Sequence, residues 1–217
     1  MKCVLTKIIK RIYITTIYKL YRIVTNYYYR KRLKNRNFSI ISSNCLAGVM
    51  YHDLGHEFLS PTINLFIHAP CFVKMLKNLE FYMSLDVIEL KSNSKYLNHK
   101  VNYPIGVINN EIEIHFLHYN TFEEARSKWN ARKKRINYSN LFVTLTDQDA
   151  CTPEVIQEFD NLKIKNKVFF SAQFYPNVQS LIWCKNYSKK GRLDAYFTEL
   201  RGYEKYFNLV KWLNNEN

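Results

Sequence analysis

Residues 140–171 read NLFVTLTDQDACTPEVIQEFDNLKIKNKVFFS. Asn140–Thr146 is an apolar, β-branched run of strand length. Thr152-Pro153-Glu154 then supplies an N-cap, a proline at the first helical position and an acid in the first turn. Lys167–Ser171 is a second apolar run. Strand, capped helix and strand in this order form the unit from which parallel sheets are built.

The flanking sequence extends this alternation. Phe38–Ser42 (FSIIS) reads as a strand. Pro70 opens a helix expected to reach about Ser84, with Phe72, Leu76, Leu79 and Met83 on one face. Tyr103–Ile108 and Glu111–Tyr119 read as two strands around Asn109-Asn110, a dipeptide suited to a tight hairpin. Thr121 with Glu124 makes a capping box for a helix to about Arg135. A last amphipathic helix is expected over about Tyr203–Asn214. The expectation is one α/β domain over residues 37–217, layered around a largely parallel, Rossmann-like sheet.

The first 36 residues differ in character. The chain of 217 residues carries 32 Lys plus Arg against 18 Asp plus Glu, and eleven of those cations, with no acid, fall within residues 1–36. The other 181 residues are nearly balanced, 21 basic against 18 acidic. Residues 4–34 have helical spacing of aliphatic and tyrosine positions, so residues 1–36 are expected to form a basic amphipathic helical arm. Such an arm suits the surface of an anionic membrane. The alternative is a helix packed on its own domain with solvated cations. Nucleic acid is not expected as a partner, because the body adds no second basic cleft. The longest charge-free runs, Phe58–Val73 and Val168–Cys184, are too short to span a bilayer. Five widely spaced cysteines (Cys3, Cys45, Cys71, Cys151, Cys184) show no zinc spacing and suggest a reduced, cytoplasmic protein held at the inner face of the membrane.

In parallel sheets, ligands sit beyond the carboxyl ends of the strands. The residues there are Asn44 and Cys45 after the first strand, His118 after the hairpin, and Asp147-Gln148-Asp149 after Asn140–Thr146. Cys45 is then a candidate nucleophile, His118 its general base with His115 as second choice, and Asn44 an oxyanion donor. Arg132 and Arg135 are candidate phosphate partners. A different chemistry is open to Asp147 and Asp149, which could hold Mn²⁺ or Mg²⁺ on a nucleotide sugar in a glycosyltransferase. The HDLGH segment, with His52, Asp53 and His56, lacks a third ligand and carries no assignment.

FSIISSNCLAG (38–48), LSPTINLFI (59–67), YPIGVINNEIEIHFLHY (103–119), TFEEARSKWNARKKRINYSNLFV (121–143) and TDQDACT (146–152) together resemble a bacterial family of unknown function. Its members are often described as exopolysaccharide or capsule biosynthesis proteins. Ser43 and Ala47 stand where that family typically has Asn and Gly. The Asn44-Cys45 turn is similar to the Gly-Asn-Cys turn of a capsule-biosynthesis family thought to bind coenzyme A. The resemblance implies an acyltransferase of surface-polysaccharide assembly, with a coenzyme A thioester as donor and a saccharide or lipid-linked glycan as acceptor. A metal-dependent glycosyltransferase and a non-enzymatic, membrane-associated accessory protein are the alternatives.

Overall fold

The computed structural model describes residues 17–216. The expected α/β architecture is present. Four strands, β1 (Ser39–Ser42), β5 (Leu141–Thr146), β6 (Asn166–Ser171) and β7 (Leu181–Trp183), pair in the order β1-β5-β6-β7, every pair parallel. Both faces of this sheet are covered, so successive residues of β1, β5 and β6 are buried on either side. Ile41, Val143, Leu145 and Phe169 point into one core with Phe72, Trp129, Ile156 and Phe159. Ile40, Phe142, Val168 and Phe170 point into the other, with Met50, Tyr51, Phe197 and Leu209.

Between β1 and β5 the chain makes a long excursion. It runs through α2 (Leu46–Leu54), α3 (Ala69–Lys77) and α4 (Leu79–Ser84), then a second, antiparallel sheet of β2 (Ile88–Glu89), β3 (Ile105–Ile108) and β4 (Ile112–His115). The asparagine hairpin is as expected. Asn109 and Asn110 both have positive φ, 52° and 54°, and the Glu111 amide donates to the Ile108 carbonyl at 3.0 Å. Both caps also form, with Thr121 Oγ1 accepting from the Glu124 amide at the start of α5 (Phe122–Lys133) and Thr152 Oγ1 from Val155 at the start of α6 (Pro153–Asp160).

Three expectations are corrected. The helix from Pro70 breaks at Asn78, whose backbone (φ −146°, ψ 60°) leaves the helical region, so two helices stand where one was expected. The hairpin does not join the main sheet. The C-terminal helix is split into a 3₁₀ turn, Gly202–Lys205, and α8 (Leu209–Leu213), because Asn208 caps a new start by accepting from the Lys211 amide. Ahead of these lies α7 (Ala195–Glu199).

Of the helix expected over residues 4–34, the part before residue 17 lies outside the described residues. The rest forms α1 (Tyr18–Arg32), and it is docked on the body. Arg22 donates to Asp53 at 2.8 Å and to both oxygens of Glu204 at 2.7 and 2.8 Å. Arg201 closes on the same Asp53 carboxylate through two bonds of 2.9 Å, and the carboxylate is fully buried. Arg30 donates to the carbonyls of His52 and Asp53, lying over Gly55, where a β-carbon would come within 2.8 Å of its Nε. Gly55 has φ +60° and ends α2 in the left-handed conformation. Asp53 of the HDLGH segment is thus an ion-pair hub; His56 bonds the carbonyls of Glu57 and Arg36.

Candidate active site

The carboxyl ends of β1 and β5 open onto a cavity of about 850 Å³. Its lining includes Asn44 and Cys45 after β1, and Asp147, Gln148 and Asp149 after β5. Leu117 and His118 follow β4, and Arg192–Glu199 forms the far wall. Cys45, Asn44, His118, Asp147 and Asp149 thus line one cavity, in the position where parallel sheets bind their ligands.

Their surroundings bear on what each side chain can do. The Cys45 thiol donates to the Leu65 carbonyl at 3.6 Å. Burial first, and then the Asp149 carboxylate, push its pKa up to about 11, so at neutral pH it is a thiol and a poor nucleophile. Asn44 has no free amide hydrogen for an oxyanion. Its Nδ2 donates to Thr146 Oγ1 (3.0 Å) and Gln148 Oε1 (3.3 Å), while its Oδ1 accepts from the Leu46 amide (3.1 Å). Asn44 joins the ends of β1 and β5 and seats the first turn of α2.

Asp147 is also internally committed. Its carboxylate accepts from the Ala172 amide at 2.6 Å, Ser171 Oγ at 3.1 Å and the Leu193 amide at 3.0 Å. It ties the ends of β5 and β6 to the far wall, which leaves little of it to ligate a metal. No group of three or more His, Cys, Asp or Glu able to hold a metal ion occurs among the described residues.

Asp149 is different. It and Ala150 hold positive φ, 56° and 63°, so the chain turns sharply just past β5. Its carbonyl accepts from the Ala69 amide, anchoring that turn to α3. Its carboxyl is largely buried, and burial alone raises its pKa to about 6. A carboxyl that exchanges a proton near neutrality, in a cavity, has the property a general base needs.

His118 stands exposed at the rim, just past the end of β4 and not on the strand itself. His115 is fully buried, stacked on Phe66 at 4.5 Å, and burial with neighbouring His68 lowers its pKa to about 4. Of the two, His118 faces the cavity and His115 does not line it. Arg132 and Arg135 lie elsewhere, at the end of α5. Arg132 donates to the Tyr119 hydroxyl at 2.7 Å and covers the Phe58 ring, and Arg135 pairs with Glu57 at 2.7 Å. The cation in the cavity is Arg192, exposed and without an ion-pair partner among the described residues. In the sequence it sits in a Lys189-Lys190-Gly191-Arg192 run that looks like ordinary solvated charge.

Over residues 16–214 the chain matches the family described as Domain of unknown function (DUF1919). It is 34% identical over 206 residues to an uncharacterized protein of Haemophilus influenzae, the alignment covering 93% of this chain and 96% of that protein.

Proposed function

The chain belongs to the DUF1919 family, and from its own residues we propose an enzyme that transfers an acyl group onto a saccharide hydroxyl, with Asp149 as general base. The observation that supports the reading is the Asp149 carboxyl on a sharp turn in the cavity beyond the parallel strands, where burial raises its pKa to about 6. The acceptor O–H gives its proton to the Asp149 carboxylate as its oxygen bonds to the acyl carbon. The leaving group departs with the electron pair of the broken bond, and His118 at the rim is the group placed to hand it a proton. An ester and a protonated leaving group result, with no net change of oxidation state.

The saccharide assignment is supported by the lining. Thr198 and Glu199 offer hydrogen-bonding groups, and Phe66 and Leu117 an apolar wall, a mixture suited to orienting a polyhydroxylated ring. A coenzyme A donor fits less well. Its phosphates would meet one arginine, Arg192, among the carboxylates of Asp149, Asp194 and Glu199, with Arg132 and Arg135 engaged outside the cavity. The donor is therefore left as an activated acyl group of lower charge. Glycosyl transfer through a metal on Asp147 and Asp149 is the second reading, disfavoured by the three hydrogen bonds Asp147 already accepts.

The test is analysis of the surface glycan from a deletion strain carrying the wild-type gene or Asp149→Asn. The expected result is loss of an acyl substituent on an intact sugar backbone, restored by the wild type and not by the variant. Loss of a sugar residue would instead support the glycosyltransferase. An unchanged glycan, or full rescue by Asp149→Asn, overturns the reading.

A further inference from the structure

Helix α1 is seated inside out. A surface helix ordinarily turns its apolar stripe to the core and its charges to water. Here Arg22 and Asn26 are the buried residues, while Ile17, Leu20, Tyr21, Ile23, Val24, Tyr27 and Tyr28 stand 52–66% exposed. At 100° per residue, Arg22, Asn26 and Tyr29 centre the inward face. Leu20, Val24 and Tyr27 lie opposite it, within an outward apolar arc of about 160°.

The charges are distributed to match. Arg22 is neutralised by Asp53 and Glu204 on the inward face. Lys19 and Arg32 fall at the two edges of the apolar arc, and Lys31 near its centre at the C-terminal end. None of these three has an ion-pair partner among the described residues, and no acid occurs anywhere in residues 1–36. The Lys31 ammonium lies over the Tyr27 ring, 4.8 Å from its centroid, so this cation sits on the apolar arc itself.

We infer that this face of α1 rests on an anionic lipid surface, its aliphatic and tyrosine side chains entering the interface and Lys19, Lys31 and Arg32 meeting lipid headgroups. An apolar arc edged by cations is what an interfacial helix presents. A second copy of the chain would set the same cations against one another. A nucleic acid would leave the apolar arc without a partner. No described helix is long and apolar enough to cross a membrane, the 15 described residues of α1 reaching about 22 Å.

The experiment is co-sedimentation of the full chain with phosphatidylcholine vesicles, with and without phosphatidylserine, at about 0.1 M and about 1 M salt, where the Debye length falls from about 10 Å to about 3 Å. The protein is expected to pellet with phosphatidylserine vesicles at low salt and to be released at high salt. Leu20→Asp/Val24→Asp and, separately, Lys31→Glu/Arg32→Glu should each weaken binding by about tenfold or more. Leu20 and Val24 are exposed and belong to neither core, so the first variant should keep its circular dichroism and melting; Lys31 and Arg32 border the C-terminal segment at Asn208 and Lys211, and the same melts read any loss there. Failure of the wild type to pellet overturns the inference. So does binding that Leu20→Asp/Val24→Asp leaves intact, which would place the attraction elsewhere on the chain. A dimer abolished by the same substitutions, with no vesicle binding, would make a second copy the occupant and also overturn it.

Discussion

Replacing Asp149 by asparagine is expected to stabilise the protein above neutral pH and to leave its stability unchanged in acid. Burial moves this carboxyl from an ordinary value of 3.8 to about 6. The folded state therefore holds the proton more tightly than the unfolded chain does. The stability this contributes is complete below the unfolded value and disappears as pH rises through the folded one. Above that point the ionised carboxylate is a burden, at about 1.4 kcal/mol per pH decade an amount near 3 kcal/mol. The cavity is open to water on one side, which reduces the measurable effect to about 1–3 kcal/mol. Asparagine has the same shape, no charge, and a side chain tolerated at a φ of 56°, so the turn should not be disturbed. Urea unfolding of both proteins at about pH 4 and about pH 8 reads the difference directly. A gain at the higher pH that vanishes at the lower one is expected. An equal effect at both, or a loss at the higher pH, would refute the claim that burial holds this carboxyl near neutrality. The same substitution should be inactive, the trade expected where a site keeps a destabilising group for its chemistry.

One further substitution and one chemical treatment probe the scaffold and the rest of the site. Asp53→Asn removes the charge that Arg22 and Arg201 share, and should cost about 3–5 kcal/mol, lowering the melting temperature by roughly 6–20 °C; a loss below about 1 kcal/mol would mean the guanidiniums find other partners. Alkylation of Cys45 by iodoacetamide at about pH 8, followed by peptide mass spectrometry, should run about 100-fold slower than for a free thiol, as burial raises it from 9.0 to about 11. Faster labelling than free cysteine would restore the nucleophile role.

Much of the fold was legible because its signals are local. Thr152 and Thr121 bond amides three residues away, and Asn109-Asn110 supplies both positive φ values of its turn. The residues the strand-end rule singled out, Asn44, Cys45, His118, Asp147 and Asp149, all line one cavity. Roles were harder to read, because they depend on partners distant in sequence. Asn44 reaches Thr146, 102 positions on, and Asp147 reaches Leu193, 46 positions on. Nothing near Arg132 in the sequence says that Tyr119 and Phe58 hold it. The helix α2 was missed because LAGVMYHDL combines a glycine with weak formers and is apolar nearly all round, as a buried helix is. Strand β7, at three residues, is too short to show a period.

The hub at Asp53 also has a consequence in time. Arg22 and Glu204 are separated by 182 positions, and Lys34 bonds Asn214 across 180. At about 5–20 residues per second of synthesis, the first helix described is made roughly 10–40 s before the residues that seat it. Throughout that interval it emerges from the ribosome with its apolar arc and its cations but without Arg201 or Glu204. A nascent chain that binds lipid as inferred above would meet a bilayer before it could meet its own C-terminal segment, so the order of manufacture, as well as equilibrium affinity, would then set where the finished molecule settles.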